Sequence, residues 1–229
     1  LHHGHKVAYI SLEMSTEQLL ARLLAIFGNR NIRELEPGPM YAPTTYEAAV
    51  AMLLDKCADG AGLFIAERPS QELTAVQGQT VAAVQNGCRL VVIDYLQLVN
   101  VVGTDGISEQ TRRVSQMVQR LAFDEQVTTL ALSQFNRATS FAKESPTVHG
   151  LTGSSAIEND SDQVLLLDHS QNDRVGATMD TRVLLAKNRH GPQATMHVRW
   201  DFTTLTLRER EPTLDESAKI HGIKTGSRA

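Results

Sequence analysis

The sequence predicts an α/β fold: a mostly parallel sheet flanked by helices, with an antiparallel extension at its C-terminal end. Three observations predict it. Short apolar runs alternate with helix-length segments from Lys6 to Ser133, the pattern of β-α-β units that build a parallel sheet. Arg89–Asp94 (RLVVID) is apolar from Leu90 until its final carboxylate, as a strand buried on both faces must be. Gln193–Trp200 and Thr203–Leu207 alternate like half-exposed antiparallel strands, joined to their neighbours at Gly191-Pro192 and Asp201-Phe202.

The elements follow in chain order. Lys6–Leu12 is a short apolar strand. Ser15–Asn29 is a helix: Ser15 can cap it with Gln18 three residues on, and Leu19, Leu20, Leu23, Leu24 and Phe27 recur at helical spacing. Pro37-Gly38-Pro39 breaks the chain. Thr44–Ala58 is a second helix, ending near Gly60, and Gly62–Ala66 a strand. Glu72–Asn86 is a helix stopped by Gly87. Arg89–Asp94 is the central strand, Ser108–Glu125 a long helix and Val127–Ser133 another apolar strand. Asp162–Leu167 and Arg182–Lys187 are further strands. From about Arg210 the chain turns polar and reads as a disordered tail, so residues 1–209 form the expected domain and 210–229 the tail.

Bulk properties exclude several classes. The 229 residues are 41% hydrophobic and 21% charged, enough for one sizeable core. No apolar run reaches the ~18 residues of a membrane span. Cys57 and Cys88 have neither metal-site spacing nor a disulfide framework, which fits a reducing cytoplasm. The His2-His3-Gly4-His5 cluster lacks the cysteine or carboxylate partners of a metal site. The chain opens on Leu1 rather than Met, as a fragment or processed chain would. A net charge of −4 and a pI near 6.1 argue against coating nucleic acid by bulk charge. Any DNA contact has to be local, as in a pore lined by a few cations.

Ligands of open α/β sheets bind at the carboxyl ends of the strands. The residues standing there are Glu13, Asp94, Ser133-Gln134 and Lys187-Asn188-Arg189. Leu90–Asp94 has the form of a Walker B strand, whose rigid carboxylate orients Mg²⁺; a buried strand that simply ends in Asp has the same look. Glu13 can polarise a water for attack on a γ-phosphate, or can merely complement the dipole of the helix that follows. Gln134 can hydrogen-bond a γ-phosphate, and Arg137, on the loop after it, can hold a DNA phosphate. Both also suit an ordinary solvated loop. Lys187 and Arg189 point to one side of an extended chain, which suits a finger supplied to a neighbour's nucleotide or an exposed basic strand end.

Together these pieces resemble the DnaB-type replicative helicases. The matching motifs, in order, are Ser11-Leu12-Glu13-Met14, Ile93-Asp94-Tyr95-Leu96-Gln97-Leu98, Ala131–Arg137 (ALSQFNR), Ser155–Asp162 (SAIENDSD) and Lys187–Pro192 (KNRHGP). The resemblance spans Lys6 to Leu207 and implies a RecA-like P-loop NTPase core. It implies a homo-hexameric ring that hydrolyses ATP with Mg²⁺ at subunit interfaces while translocating on single-stranded DNA to unwind the duplex. Primase and a helicase loader are the implied partners, met through N-terminal regions outside this sequence. Glu13 is then the catalytic glutamate, Asp94 the magnesium aspartate and Gln134 the γ-phosphate sensor. Arg22 falls where the family sets an arginine against the nucleotide, although a helix-surface arginine would look the same. Lys187 and Arg189 are the fingers. Arg137 and the Gly153-Ser154-Ser155 stretch fall at DNA contacts, the latter through backbone amides.

Two departures bear on these expectations. Gly150–Ser155 (GLTGSS) lacks the Arg and Glu that the family carries at this point, which fits a divergent branch such as a phage or plasmid one. The GxxxxGK[ST] loop expected ahead of the SLEM strand does not occur in these residues; Gly222-Ile223-Lys224-Thr225 is a false echo with no strand leading into it. The expectation is a truncated motor that alone binds ATP weakly and does not turn it over. The competing readings are another RecA-fold ATPase, recombinase-like, and a non-enzymatic DNA-binding or assembly module.

Overall fold

Lys6–Ser11 forms β1, and its side chains alternate until Ala8, Ile10 and Ser11 are buried. In the computed structural model, residues 1, 3–36, 38, 41–57, 59–66, 71–104, 106–136, 145–151, 153–169 and 174–211 are described. Arg137, the Gly222–Thr225 echo and residues 212–229 of the expected tail therefore lie outside the described residues.

A four-stranded parallel sheet carries the first half of the chain. Its order is β2-β1-β3-β4, with β2 Gly62–Ala66, β3 Cys88–Asp94 and β4 Thr128–Ala131. Ile10, Val91 and Ile93 are fully buried, as the uninterrupted apolar run requires. Helices α4 (Leu73–Gln85) and α5 (Ile107–Asp124) pack on this sheet through Val76, Ala83, Val114 and Val118. Their burial supplies roughly 1.5–3 kcal/mol for each large side chain removed from water.

Helices α1 (Thr16–Gly28), α2 (Ile32–Leu35) and α3 (Pro43–Lys56) build a second core from Ala21, Leu24, Ala25, Leu35 and Ala49. The capping box at the start of α1 forms as read: the Gln18 amide N–H donates to Ser15 Oγ at 3.3 Å, and Ser15 N–H to Gln18 Oε1 at 3.1 Å. The four-residue α2 gave no periodic signal. It is held by its Asn31 cap and by Ile32 N–H donating to Thr203 O at 2.9 Å.

The antiparallel part is a sheet in its own right. Its order is β5-β7-β8-β9, with β6 pairing β7. The strands are β5 Gln163–Asp168, β6 Arg174–Val175, β7 Thr178–Asn188, β8 Ala194–Asp201 and β9 Thr206–Glu209. It begins at β5, ahead of the Gly191-Pro192 turn where the sequence announced it. The strand expected over Thr203–Leu207 starts only at Thr206. Asp201 Oδ1 accepts from Thr203 N–H at 2.8 Å and Thr204 N–H at 3.4 Å, closing a turn in which Leu205 takes a φ of 55°. The same bonds hold the Asp201 carboxyl below its usual range. Val164 and Leu166 of β5 join the core of the first sheet.

Helix α6 (Ser154–Asp160) lies along α5, where Ser115 Oγ donates to Asp160 Oδ2 at 2.7 Å and Gln119 Nε2 to Asp160 O at 3.0 Å. Among the described residues no helix is long and apolar enough to cross a membrane.

Candidate functional site

Parallel pairing brings three expected residues to one edge. Ser11 stands opposite Asp94, and Ile93 opposite Ala131, so β1, β3 and β4 end side by side. Backbone bonds continue past the ladders: Leu12 N–H donates to Asp94 O at 2.8 Å, Leu132 N–H to Ile93 O at 3.0 Å and Leu96 N–H to Leu132 O at 3.0 Å. Asp94 therefore ends β3, and Glu13 and Gln134 follow the ends of the strands on either side of it, as the sheet rule requires.

Glu13 is exposed on the turn between β1 and α1. Ser11 Oγ accepts from Met14 N–H at 2.9 Å and so fixes that turn. Gln71 Nε2 donates to Leu12 O at 3.2 Å, and both residues line, with Glu13, a cavity of about 380 Å³.

Asp94 is half-buried, and its peptide to Tyr95 is cis. Its Oδ2 accepts the phenolic proton of Tyr9 at 2.7 Å. Burial pushes the Tyr9 phenol well above its ordinary value, and the hydrogen bond and charge of Asp94 push it the same way. The charge of Arg22 pulls it back, which puts the Arg22 side chain within electrostatic reach of this pair.

Gln134 is exposed, and its backbone N–H donates to Gln97 Oε1 at 3.3 Å. Gln97 Nε2 donates in turn to Ser133 Oγ at 2.8 Å. One side-chain amide thus ties the end of β4 to the turn after Asp94. Sequence reading passed over Tyr9, Gln71 and Gln97 as site residues. Gln97 stands within the IDYLQL string, and Tyr9 two residues before Ser11 on the same strand face, so those two had a signal; Gln71 had none.

Lys187 and Arg189 are placed elsewhere, at the end of β7 in the second sheet. Lys187 is half-buried, with Nζ donating to the carbonyls of Glu158 and Ser161, the latter at 2.8 Å. Arg189 Nη1 donates to Asp162 Oδ1 at 2.6 Å and Nη2 to Asn159 O at 3.3 Å. Both cations meet the C-terminal end of α6, where exposed carbonyls carry partial negative charge. Their settings differ. Lys187 is enclosed by backbone oxygens, whereas the Arg189 and Asp162 side chains are 47% and 63% exposed, so that pair opens at little cost.

Gly153 caps the other end of α6 with a φ of 74°. A Cβ there would stand 2.7 Å from Thr111 Cγ2 and 2.8 Å from Thr111 Cβ. Glycine at 153 is therefore required by packing against α5. Ser155 is exposed, and the Ser154 side chain lies outside the described residues.

Among the described residues no three His, Cys, Asp or Glu side chains converge on one point. Asp94 has one oxygen engaged by Tyr9, and no side-chain hydrogen bond among the described residues engages Oδ1. One available carboxylate oxygen at a strand end fits Mg²⁺, which takes most of its ligands from phosphate and water.

Comparison with known proteins bears on the family and the fold. The family model for the DnaB-like helicase C-terminal domain matches residues 1–209. The chain is 29% identical over 202 residues to the replicative DNA helicase DnaB of Geobacillus stearothermophilus, covering 85% of this chain and 44% of that protein. It is 28% identical over 197 residues to the replicative DNA helicase DnaC of Bacillus subtilis, with coverage of 83% and 42%. It is 26% identical over 211 residues to a probable plasmid replicative DNA helicase of Chlamydia psittaci, with coverage of 89% and 45%. The chain thus spans less than half the length of these relatives. Two solved structures match with a TM-score of 0.75 and 22% identity over 91% of this chain. One is a DnaB-like replicative helicase studied with its primase interactions, 53% of which is covered; the other is an ATPase domain, covered over 76%. At that identity they show the fold, the RecA-like core expected from the motifs.

Proposed function

The chain belongs to the DnaB-like helicase C-terminal domain family, and from that premise we propose that it is the motor of a replicative helicase, coupling ATP hydrolysis to the unwinding of duplex DNA. The observation that carries this reading is the row of Glu13, Asp94 and Gln134 at the carboxyl ends of adjacent strands. Three residue types suited to water activation, metal orientation and γ-phosphate sensing share that sheet edge.

In this proposal Glu13 accepts a proton from the attacking water through its carboxylate. Asp94 orients Mg²⁺, which when bound neutralises charge on the β- and γ-phosphates. The Gln134 amide donates to a γ-phosphate oxygen, and the Gln97 link passes its position to the strand end beside it. Arg22 lies against the nucleotide from α1. Arg189 leaves Asp162 to reach the nucleotide of the next subunit in a homo-hexameric ring. Lys187 serves the same interface while holding the end of α6. Arg137 and the Gly153–Ser155 amides touch single-stranded DNA in the pore. Residues 1–209 make up the motor and 210–229 a tail. Primase and a loader act through other regions of the protein, in the cytoplasm.

No GxxxxGK[ST] sequence occurs among these 229 residues, so the chain alone is expected to bind ATP weakly and not to hydrolyse it. The functional test uses a protein that carries such a loop ahead of Leu1. That protein is expected to displace a strand from a forked duplex with ATP, and Glu13→Ala to abolish turnover while retaining nucleotide binding. Turnover by Glu13→Ala at the parent rate would overturn the assignment. Hydrolysis without strand displacement would favour another kind of RecA-fold ATPase.

A further inference from the structure

We propose that Tyr9 is a positioning residue for Asp94, fixing the carboxylate so that its other oxygen is presented to the Mg²⁺ that accompanies ATP. The inference rests on the reading of Asp94 as the metal-orienting aspartate, and it adds a residue to that site.

The geometry follows from the pairing of β1 with β3. Tyr9 stands opposite Val92 and Ser11 opposite Asp94, so Tyr9 and Asp94 share a sheet face, one two-residue repeat apart. That offset is roughly 6.6 Å along the strand, with about 4.8 Å more across to β3, a diagonal that a tyrosine side chain covers and a serine or threonine does not. Phenylalanine would cover it without a donor, and lysine would bring a charge. Ser11, directly opposite Asp94, has its Oγ engaged by Met14 N–H. Among the described residues Tyr9 is the one side-chain donor to Asp94, at 2.7 Å, the length of a charge-assisted O–H···O⁻ bond.

The bond is one-directional. The phenolic O–H of Tyr9 donates and the carboxylate of Asp94 accepts. A carboxylate at a strand end otherwise rotates about its last torsion, which is broad for Asp. With Oδ2 held by a half-buried ring, the carboxylate plane is set before metal or nucleotide arrives. Outer partners of this kind orient metal ligands, and their loss typically weakens metal affinity by about 10–100-fold.

Mn²⁺ serves as the probe, bound with a non-hydrolysable ATP analogue to the protein carrying a GxxxxGK[ST] loop ahead of Leu1, and free Mn²⁺ is read by electron paramagnetic resonance. Tyr9→Phe keeps the ring and removes the donor. It is expected to raise the Mn²⁺ dissociation constant by roughly tenfold or more while leaving metal-free binding of the analogue unchanged. Asp94→Asn is expected to lose Mn²⁺ affinity, and Tyr9→Phe added to it to cost nothing further. If Asp94→Asn weakens Mn²⁺ but Tyr9→Phe stays within about twofold of the parent, the role of Tyr9 is overturned and the reading of Asp94 survives. If Tyr9→Phe weakens metal-free analogue binding to the same extent, Tyr9 acts through packing and the proposal also falls. If Asp94→Asn leaves Mn²⁺ affinity intact, the site reading fails and takes Tyr9 with it.

Discussion

Replacing Gly153 by alanine separates two roles for one residue. The family resemblance gives Gly153 a backbone contact with DNA, whereas the structure gives it a packing constraint. The φ of 74° at Gly153 is left-handed, and an L-residue there costs about 1–2 kcal/mol. The added Cβ would stand 2.7 Å from Thr111 Cγ2 and 2.8 Å from Thr111 Cβ. Thr111 has no room to yield: it is fully buried, its Oγ1 donates to Ile107 O at 2.8 Å, and its β-branch is stiff in a helix. Such overpacking adds about 1–3 kcal/mol. The total, about 3 kcal/mol, corresponds to a fall in melting temperature of roughly 6–12 °C for a chain of this size. Thermal denaturation of the 229-residue chain, followed by circular dichroism, measures it. Thr111→Ser removes Cγ2 and keeps the hydroxyl, so in the Gly153→Ala background it should recover part of the loss. Should Gly153→Ala melt within the roughly 0.5 kcal/mol typical of surface changes, the packing requirement would be wrong and only the contact with DNA would remain to explain the glycine.

Two further outcomes follow from single elements. Ser15→Ala breaks the capping box of α1 and should cost about 1 kcal/mol in urea denaturation; an unchanged midpoint would show that tertiary packing alone holds that helix end. Glu109 accepts from Arg112 first and Arg113 second, which holds its carboxyl down at about 2. A depressed carboxylate contributes stability above its unfolded value of 4.5 that is lost as pH falls through about 2. Carbon NMR should place its midpoint near 2 and Arg112→Ala should move it back toward the ordinary range; a wild-type midpoint already in that range would refute the pairing.

What the sequence made legible was what local pattern encodes. The unbroken Leu90–Ile93 run located the central strand, and Ser15 with Gln18 located the start of α1, because burial and capping are written in neighbouring residues. Helix α6 was not visible: Ser154–Asp160 offers only Ala156 and Ile157 as apolar residues, and its C-terminal end is held by Lys187 and Arg189 from a strand far along the chain. The first residues of β7 were missed because Thr178–Thr181 look polar, although Met179 and Thr181 alternate into the core. Of the candidate site, Glu13, Asp94 and Gln134 could be picked from strand ends alone. The Tyr9–Asp94 bond could not, since it joins residues 85 positions apart and depends on β1 pairing with β3.

The proposed motor depends on an active site shared between protomers, with acid groups from one and Arg189 from the next. The most direct measurement is ATP turnover in rings assembled from Glu13→Ala and Arg189→Ala subunits of the loop-bearing protein, with mixing verified by native mass spectrometry. Each variant alone should be inactive, and the mixture should regain activity at interfaces where an intact Glu13 meets an intact Arg189. Verified mixed rings with no recovered turnover would contradict it.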